Sequence, residues 1–395
     1  MKKRILIFIL VLTLVLPMTI GFSACDNTNE EDSGDVIVLN VYNWGEYMPL
    51  SEDEHGYDLN SAFEAWYYET YGQKIKVNYD MFSSNEELRA KLEANAVSYD
   101  IIIPSDYMID YFVNNDMLLP INFENIPNYK NIGEDFKGLY YDPENKFSVP
   151  YSYATIGIIY NANKVDPADV ESMGWEVMWS EKYRDAGILQ FNNSRDAFGI
   201  AMYNLGIDVN TTDKDEWERA YAKLVEQQDV IYGRVMDEIY NFMEVGETSI
   251  GAYYAGDYFT MVDNQVNDVD LQFYTPDNTN VFVDAMCIPK TCRNKDAAEA
   301  YINFILSVEA GTALADYLYY GTPNTAVREN PDYLWDDELS DEENEEWREE
   351  VFSVIYPENF DFKSSFNKNA YRDLNTLSPE IHAYMTELWE KLIIQ

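Results

Sequence analysis

Histidine, cysteine and positive charge are all scarce in this sequence. Its 395 residues include 2 histidines (His55 and His382), 3 cysteines and 27 lysines plus arginines. Two histidines leave little room for imidazole metal ligands or for a Ser-His-Asp triad. Against the basic residues stand 71 acidic ones, which gives a net charge of -44. Because nucleic acids are bound through cationic side chains, this balance excludes a DNA- or RNA-binding role.

Several common catalytic patterns are missing as well. The chain has no glycine-rich nucleotide-binding loop, no Gly-x-Ser-x-Gly elbow and no His-Glu-x-x-His helix. Among 71 acids, pairs of carboxylates arise by chance and do not indicate a glycosidase. What the chain does have is 47% hydrophobic residues, 33 Tyr and 8 Trp. This composition predicts about two domains or lobes with a sizeable core, and clefts lined by amphipathic rings.

The N-terminus has the pattern of an export signal. Three basic residues at positions 2–4 precede an almost entirely apolar run over 5–20. This order predicts a signal peptide, residues 1–24, and a retained membrane anchor is the alternative. The Ser-Ala-Cys sequence ending at Cys25 resembles a bacterial lipobox, which implies lipidation of that cysteine. Residues 25–35 are polar and acidic, and we expect a flexible tether between a lipid anchor and the folded body.

Two features invite a metal or redox interpretation, and neither supports it. Cys287 and Cys292 lack nearby histidines or further cysteines, so they do not form a zinc site. A disulfide between them is an option outside the cytoplasm, although Cys287 lies in an apolar run and is expected to be buried. Residues 336–350 hold ten acids but lack EF-hand spacing and its glycine. We interpret the run as a solvated helix or loop, and we expect no metal or cofactor.

Strand and helix patterns alternate along the chain. The order strand, helix, strand, helix, strand in the first third predicts a parallel sheet with crossover helices. Its strands are continuous apolar runs, which favours a sheet covered on both faces. Strands are predicted at 36–42, 75–79, 100–104, 249–254 and 281–289, and helices at 59–71, 85–95, 196–206, 217–228, 294–319 and 378–394. Asn85 and Asn294 are the predicted N-caps of their helices. The pattern indicates an α/β protein with two lobes.

Aromatic and polar side chains follow two of these strands. Trp44 and Tyr47 come after the first strand, and Ser105 and Tyr107 come after the third. Ligands of open α/β sheets bind beyond the carboxyl ends of strands. We therefore expect these four side chains to converge on one cleft.

Phe282 and Asp284 interrupt an otherwise apolar strand. An aspartate in such a strand is costly to bury unless it is paired. Asp284 is therefore either a ligand contact or a carboxylate that accepts hydrogen bonds from nearby backbone.

Six segments carry a family resemblance and follow one another in the family's order. They are LNVYNWGEY at 39–47, YDIIIPSDY at 99–107, the segment 149–161, NSRD at 193–196, the segment 283–289, and YGTPN at 320–324. Together they closely resemble the periplasmic polyamine-binding proteins, which are the spermidine/putrescine receptors of ABC importers. The resemblance implies an α/β fold of the two-lobed periplasmic-binding-protein type II. Each lobe would be a mixed, mostly parallel sheet flanked by helices, with the ligand in the interlobe cleft.

The resemblance also implies lobe boundaries and site residues. Lobe 1 would comprise residues 36–150 plus 284–325, and lobe 2 would comprise 151–283 plus 326–395. Asp196 and Asp284 would receive ammonium groups. The other implied cleft residues are Trp44, Tyr47, Ser105, Tyr107, Asn193, Tyr254, Phe282 and Tyr320.

Departures from the family leave two questions open. Asn193 stands where the family can have an acid, and Tyr254 and Phe282 stand where it often has tryptophan. The number of ammonium groups recognised, two in putrescine or three in spermidine, therefore stays open. So does the choice between Tyr371 and Arg372 as a further contact near the C-terminus.

The expected function follows from the chemistry of polyamines. Ring faces contact the methylene chain and attract ammonium groups, and carboxylates at fixed separations measure its length. We expect an exported, non-enzymatic and monomeric lipoprotein, held at the outer face of the membrane or in the periplasmic space. It would capture polyamines by lobe closure and deliver them to an ABC importer's permease with its ATPase. The alternatives are a receptor for a sugar, an amino acid or a metal, a secreted carboxylate hydrolase, and a surface adhesin.

Overall fold

The computed structural model describes residues 36–52, 56–94, 97–357 and 360–394. The predicted signal peptide, the tether and Cys25 lie outside this part of the chain. Among the helices it describes, none has the length and apolarity needed to span a lipid bilayer.

The strands are β1 Ile37–Trp44, β2 Leu50–Ser51, β3 Tyr57–Asp58, β4 Ile75–Phe82, β5 Ile101–Ile102, β6 Ser148–Asn161, β7 Ile188–Phe191, β8 Gly233–Val235, β9 Ile250–Tyr254, β10 Leu271–Tyr274 and β11 Val281–Cys287. A mixed β-sheet has the strand order β4-β1-β5-β11-β6-β9-β7-β8, with β10 also paired to β6, whereas β2 and β3 pair with each other. The strands β1, β4 and β5 are parallel to one another, as are β7, β8 and β9, and the antiparallel strands β6 and β11 lie between these two groups.

Helices cover both faces of this sheet, as the continuous apolar strands predict. They are α1 Leu59–Tyr71, α2 Asn85–Ala94, α3 Asp106–Asn114, α4 Pro167–Met173, α5 Ser194–Leu205, α6 Lys214–Gln227, α7 Glu238–Glu244, α8 Ala255–Asn264, α9 Lys295–Ile305, α10 Val308–Leu318, α11 Thr325–Arg328, α12 Asp341–Ile355, α13 Phe362–Asn369, α14 Leu374–Leu377 and α15 Pro379–Ile394. The α/β architecture predicted from the sequence is confirmed.

Neither of the two asparagines predicted as N-caps uses its side chain to cap its helix, and one predicted helix is divided. The stretch 294–319 is two helices, because the Ser307 hydroxyl accepts a hydrogen bond from Ala310 N and starts α10. The Asn294 side chain does not cap α9 and instead donates to the Val38 carbonyl at 2.8 Å. At α2 the cap is Ser84, whose hydroxyl accepts from Glu87 N at 3.1 Å. In each case a tertiary partner or a neighbouring hydroxyl displaced the expected cap.

Strand β6 connects the two parallel groups. Its residues 148–155 pair with β11, and its residues 156–160 pair with β9. The pairing with β11 shifts register between Asp284 and Ala285, which are opposite Ser152 and Pro150. Such a β-bulge bends the strands and changes the direction of the side chains beside it. Asp284 therefore lies at an irregular point in the middle of the sheet.

Buried apolar residues fall into clusters on either side of this connection. Two clusters pack on the faces of β1, β5 and the first half of β6 and include Leu39, Phe63 and Phe112. Another surrounds the second half of β6, β7 and β9 and includes Trp217 and Phe259. The lobe boundaries predicted from the sequence remain a prediction.

The acidic run and the two cysteines have ordinary structural roles. Most of the run lies in α12, which begins with a capping box between Ser340 and Glu343. Cys287 is buried as predicted, Cys292 is half-buried, and both are free thiols, so the disulfide option is contradicted. Within the described ranges, no group of His, Cys, Asp or Glu side chains could hold a metal ion.

Candidate functional site

The site is built around Asp284, which is 3% exposed. Its Oδ2 accepts a hydrogen bond of 2.6 Å from the Tyr47 hydroxyl. That hydroxyl also lies 2.6 Å from Ser152 Oγ on β6. The second carboxylate oxygen, Oδ1, is buried and has no hydrogen-bond partner. A buried carboxylate oxygen without a partner is costly, so Asp284 is poised to accept a donor from a ligand.

Ser105 and Tyr107 are held beside Asp284 by one amide side chain. Ser105 forms an isolated antiparallel bridge with Asp284. The buried Asn85 accepts from Ser105 N at 3.2 Å and donates to the Tyr107 hydroxyl at 3.0 Å. Asn85 was predicted as a helix cap, and the structure instead gives it this positioning role.

Trp44 ends β1 on the same side of the sheet. Its ring lies 4.5 Å from that of Phe82, centroid to centroid, and its backbone N–H donates to Asn43 Oδ1. Trp44 is thus the last residue of β1, and Ser105 and Tyr107 follow the neighbouring strand β5.

A second carboxylate, Asp196, lies on the other side of the sheet connection. It is 7% exposed and occupies the first turn of α5. Asn193 caps this helix, because its Oδ1 accepts from Asp196 N and its Nδ2 donates to Asp196 Oδ2, both at 2.8 Å. The Tyr254 hydroxyl donates to the same oxygen at 3.0 Å. Asp196 is therefore fixed by its own helix start and by β9.

A row of rings joins the two carboxylates. Ring centroids are 5.6 Å apart between Tyr254 and Phe282, 6.1 Å between Phe282 and Tyr320, and 5.6 Å between Tyr320 and Tyr47. These three pairs meet edge to face, with interplanar angles of 74–77°. Because Tyr254 bonds Asp196 and Tyr47 bonds Asp284, the row has a buried acid at each end.

Asp257, which was not among the residues predicted from the sequence, also lies on this row. It sits in the first turn of α8, and its Oδ2 accepts from the Tyr320 hydroxyl at 2.8 Å. The Tyr240 hydroxyl donates to its other oxygen. The rule that ligands bind beyond strand ends would have found it, because it follows β9 by three residues.

The neighbouring side chains of Tyr371 and Arg372 contact different parts of the protein. The Tyr371 hydroxyl packs against Gly199 on α5, where an added Cβ would lie 2.1 Å from its oxygen. The Arg372 guanidinium lies 3.2 Å from the ring centroid of Tyr140. Tyr371 also lies close enough to Asp196 for each to influence the other's pKa, whereas Arg372 stacks on Tyr140.

Burial sets the electrostatics of these acids. It raises the pKa of Asp284 to about 6, although the nearby hydroxyl groups of Ser105 and Tyr47 lower it in part. It raises the pKa of Asp257 to about 6, and it also raises the pKa of Asp196. The neighbouring Asp106 is 1% exposed, and burial together with the charge of Asp284 raises its pKa to about 8. A bound cation would stabilise the ionised forms of all four groups.

The position of Tyr320 depends on a glycine. A Cβ on Gly256 would lie 1.8 Å from a ring carbon of Tyr320 and 2.9 Å from the Leu318 carbonyl oxygen. We expect Gly256→Ala to displace the Tyr320 ring and so to weaken ligand binding. Overpacking should also reduce the free energy of unfolding by about 1–3 kcal/mol, which lowers the melting temperature. Scanning calorimetry and ligand titration check this. Gly233→Ala, where a Cβ meets no atom within 4 Å, is the matched control. Equal melting temperatures for the two variants would contradict the prediction.

Comparison with known proteins places this chain in a family. Residues 97–350 match the model of the bacterial extracellular solute-binding protein family. The spermidine/putrescine-binding periplasmic protein of Escherichia coli K12 is 31% identical over 330 residues, which cover 81% of this chain and 89% of that protein. The putrescine-binding periplasmic protein PotF of the same organism is 28% identical over 317 residues, covering 74% and 82%.

Comparison with solved structures supports the same family. The crystal structure of the spermidine/putrescine ABC transporter substrate-binding protein PotD from Streptococcus pneumoniae superposes with a TM-score of 0.71. It is 29% identical, and the match covers 91% of this chain and 99% of that one. The predicted periplasmic-binding-protein fold is confirmed, and the family is one of transport receptors and not of enzymes. The chain belongs to the family of bacterial extracellular solute-binding proteins.

Proposed function

We propose that this protein binds a polyamine, putrescine or spermidine, along the row of rings between Asp196 and Asp284. The observation that carries the proposal is this row of four aromatic side chains with a buried carboxylate at each end. The names of its relatives, which include spermidine/putrescine-binding and putrescine-binding proteins, support the same ligand class.

The chemistry of the row matches a diamine. Ring faces and edges contact methylene groups, and each cation–π contact contributes roughly 0.5–2 kcal/mol. The unpartnered Oδ1 of Asp284 would accept one ammonium group, and Asp196 would accept another. A charge-assisted hydrogen bond of this kind is about twice as strong as a neutral one. Asp257, midway along the row, would contact an inner amine or strengthen the field.

Closure of two lobes would complete the site. Asp284, Tyr47, Ser105 and Tyr107 lie on the β1 and β11 side, and Asp196 and Tyr254 lie on the β9 side. A ligand shifts a protein toward a closed form only if it contacts both sides. We propose residues 36–150 plus 284–325 and residues 151–283 plus 326–395 as these lobes.

The closed form would dock as a monomer on the permease of an ABC importer, whose ATPase supplies the transport energy. Lipidation at Cys25 would hold it at the outer face of the membrane.

Calorimetric titration tests the proposal. Putrescine and spermidine are titrated separately into the purified protein at physiological salt, with butylamine as a monoamine control. We expect one-to-one binding that is at least about 100-fold tighter for a polyamine than for butylamine. Weak binding that includes butylamine would mean that only the net charge of -44 attracts cations. A sugar or amino acid would then be the better candidate for the cleft.

The raised pKa values predict an unusual dependence of stability on pH. Burial holds the pKa of Asp284 and of Asp257 at about 6 and that of Asp106 at about 8, whereas an unfolded aspartate has a pKa of roughly 4. Between about pH 4 and pH 8 the folded protein therefore binds more protons than the unfolded chain, and stability falls as pH rises. We expect the ligand-free melting temperature to be higher at pH 5 than at pH 8.

Putrescine should reverse this trend, because it binds the ionised carboxylates. The increase in melting temperature that it causes should be larger at pH 8 than at pH 5, as scanning calorimetry can show. In Asp106→Asn the ligand-free dependence on pH should be flatter. A ligand-free melting temperature that rises from pH 5 to pH 8 would overturn the prediction.

A further inference from the structure

Arg234 is a half-buried cation, and no acid in the described part of the chain forms an ion pair with it. It lies in β8, at the end of the sheet, and its guanidinium carbon is 5.9 Å from the ring centroid of Trp389 on α15. Both terminal nitrogens are shielded from water and lack a hydrogen-bond partner. Burial alone lowers the pKa of this guanidinium to about 10. In a chain with 71 acids and 27 bases, an arginine without a carboxylate is unexpected.

A surface depression of about 350 Å³ adjoins this side chain. Its apolar walls are contributed by Ile231, Leu392 and Ile393, and Asn192, Tyr232 and Gln228 complete the lining. The Gln228 Nε2 already donates to the Leu392 carbonyl at 2.9 Å. Ile393 is 54% exposed and lies at the rim. The volume lies within the range of small-molecule sites, in which apolar side chains commonly surround a few polar groups.

The charge and the walls together select the kind of ligand. A guanidinium pairs with a carboxylate or phosphate through two parallel hydrogen bonds. The net charge of -44 repels anions at long range, and it repels a dianion more strongly than a monoanion. Apolar walls favour a ligand that carries an aliphatic part. We propose that Arg234 and this depression bind a small aliphatic monocarboxylate, at a site separate from the aromatic row.

Hexanoate is the probe for this site, and hexanol, its neutral analogue, is the control. Calorimetric titration of the protein should show one-to-one hexanoate binding that is at least about tenfold tighter than hexanol binding. In Arg234→Met this preference should disappear. Because replacing an unpaired buried charge by an apolar group is neutral or stabilising, the melting temperature of this variant should not fall. Putrescine affinity should be unchanged, since no residue of the row is altered.

A second variant keeps the test independent of Arg234 itself. Ile393→Asp places a carboxylate at the exposed edge of the depression, where it should repel hexanoate without disturbing the core. Loss of hexanoate binding in both variants supports the site. The proposal is overturned if the parent protein shows no hexanoate binding up to about 10 mM, or if Arg234→Met binds hexanoate as well as the parent does.

Discussion

Replacing Asp284 with asparagine is expected to weaken polyamine binding by at least about 100-fold. The carboxylate is 3% exposed, and its Oδ1 has no partner in the protein. An ammonium group bound there would form a desolvated, charge-assisted hydrogen bond. Removing one partner of such a pair costs roughly 2–5 kcal/mol, and each 1.4 kcal/mol is a factor of ten in affinity.

The fold should survive this change. The asparagine side-chain oxygen can still accept the hydrogen bond from Tyr47, and burying a neutral amide costs less than burying a carboxylate. Calorimetric titration with putrescine and thermal unfolding measure the two effects. Glu346→Gln in the exposed acidic helix removes the same unit of charge far from the row and should change affinity little. If Asp284→Asn binds putrescine as tightly as the parent, the proposed site is wrong.

Replacing Asp196 with asparagine should also cost at least tenfold in affinity, and it should weaken closure. Asp196 is the acid at the β9 end of the row, where Asn193 and Tyr254 hold it. Without its charge a polyamine would still bind Asp284 but would contact the second lobe less. Since the shift toward the closed form depends on contacts with both lobes, the population of closed molecules should fall.

Small-angle scattering separates this effect from simple loss of binding. At saturating putrescine the parent should become more compact, whereas Asp196→Asn should contract less even when fully loaded. Asp215→Asn, an exposed acid on the neighbouring helix α6, is the matched control. Full contraction of the Asp196→Asn variant would show that the second carboxylate does not drive closure.

Local pattern was enough to predict most of the elements and several site residues. The strands β1, β4 and β9 and the helices α1, α5, α6 and α15 lie within a few residues of the predicted bounds. Apolar runs and helical periodicity depend on near neighbours in sequence, which is why they can be read without the fold. The strand-end rule likewise predicted Trp44, Tyr47, Ser105 and Tyr107 as candidate site residues from local pattern, and their role in binding stays a prediction.

Predictions that depended on a specific cap were less secure. Asn85 and Asn294 have the side chain of an N-cap, but each found a better partner elsewhere in the fold. A single polar side chain can satisfy its hydrogen bonds locally or across the structure, and the sequence does not tell which. Asn193 was not predicted as an N-cap, yet its side chain caps the first turn of α5.

The sequence by itself determined the α/β class, the strongly acidic character and the family. Only the tertiary structure decided that Asp284 lies at a bulge and bonds Tyr47, that four rings join in one row, and that Asp257 lies on it. It alone shows that the terminal nitrogens of Arg234 are shielded without a hydrogen-bond partner. Composition depends on the chain as a whole, and hydrophobic periodicity depends on residues that are close together in sequence. Contacts between residues far apart in sequence depend on how the sheet and its helices pack, and they emerge only when the chain has folded.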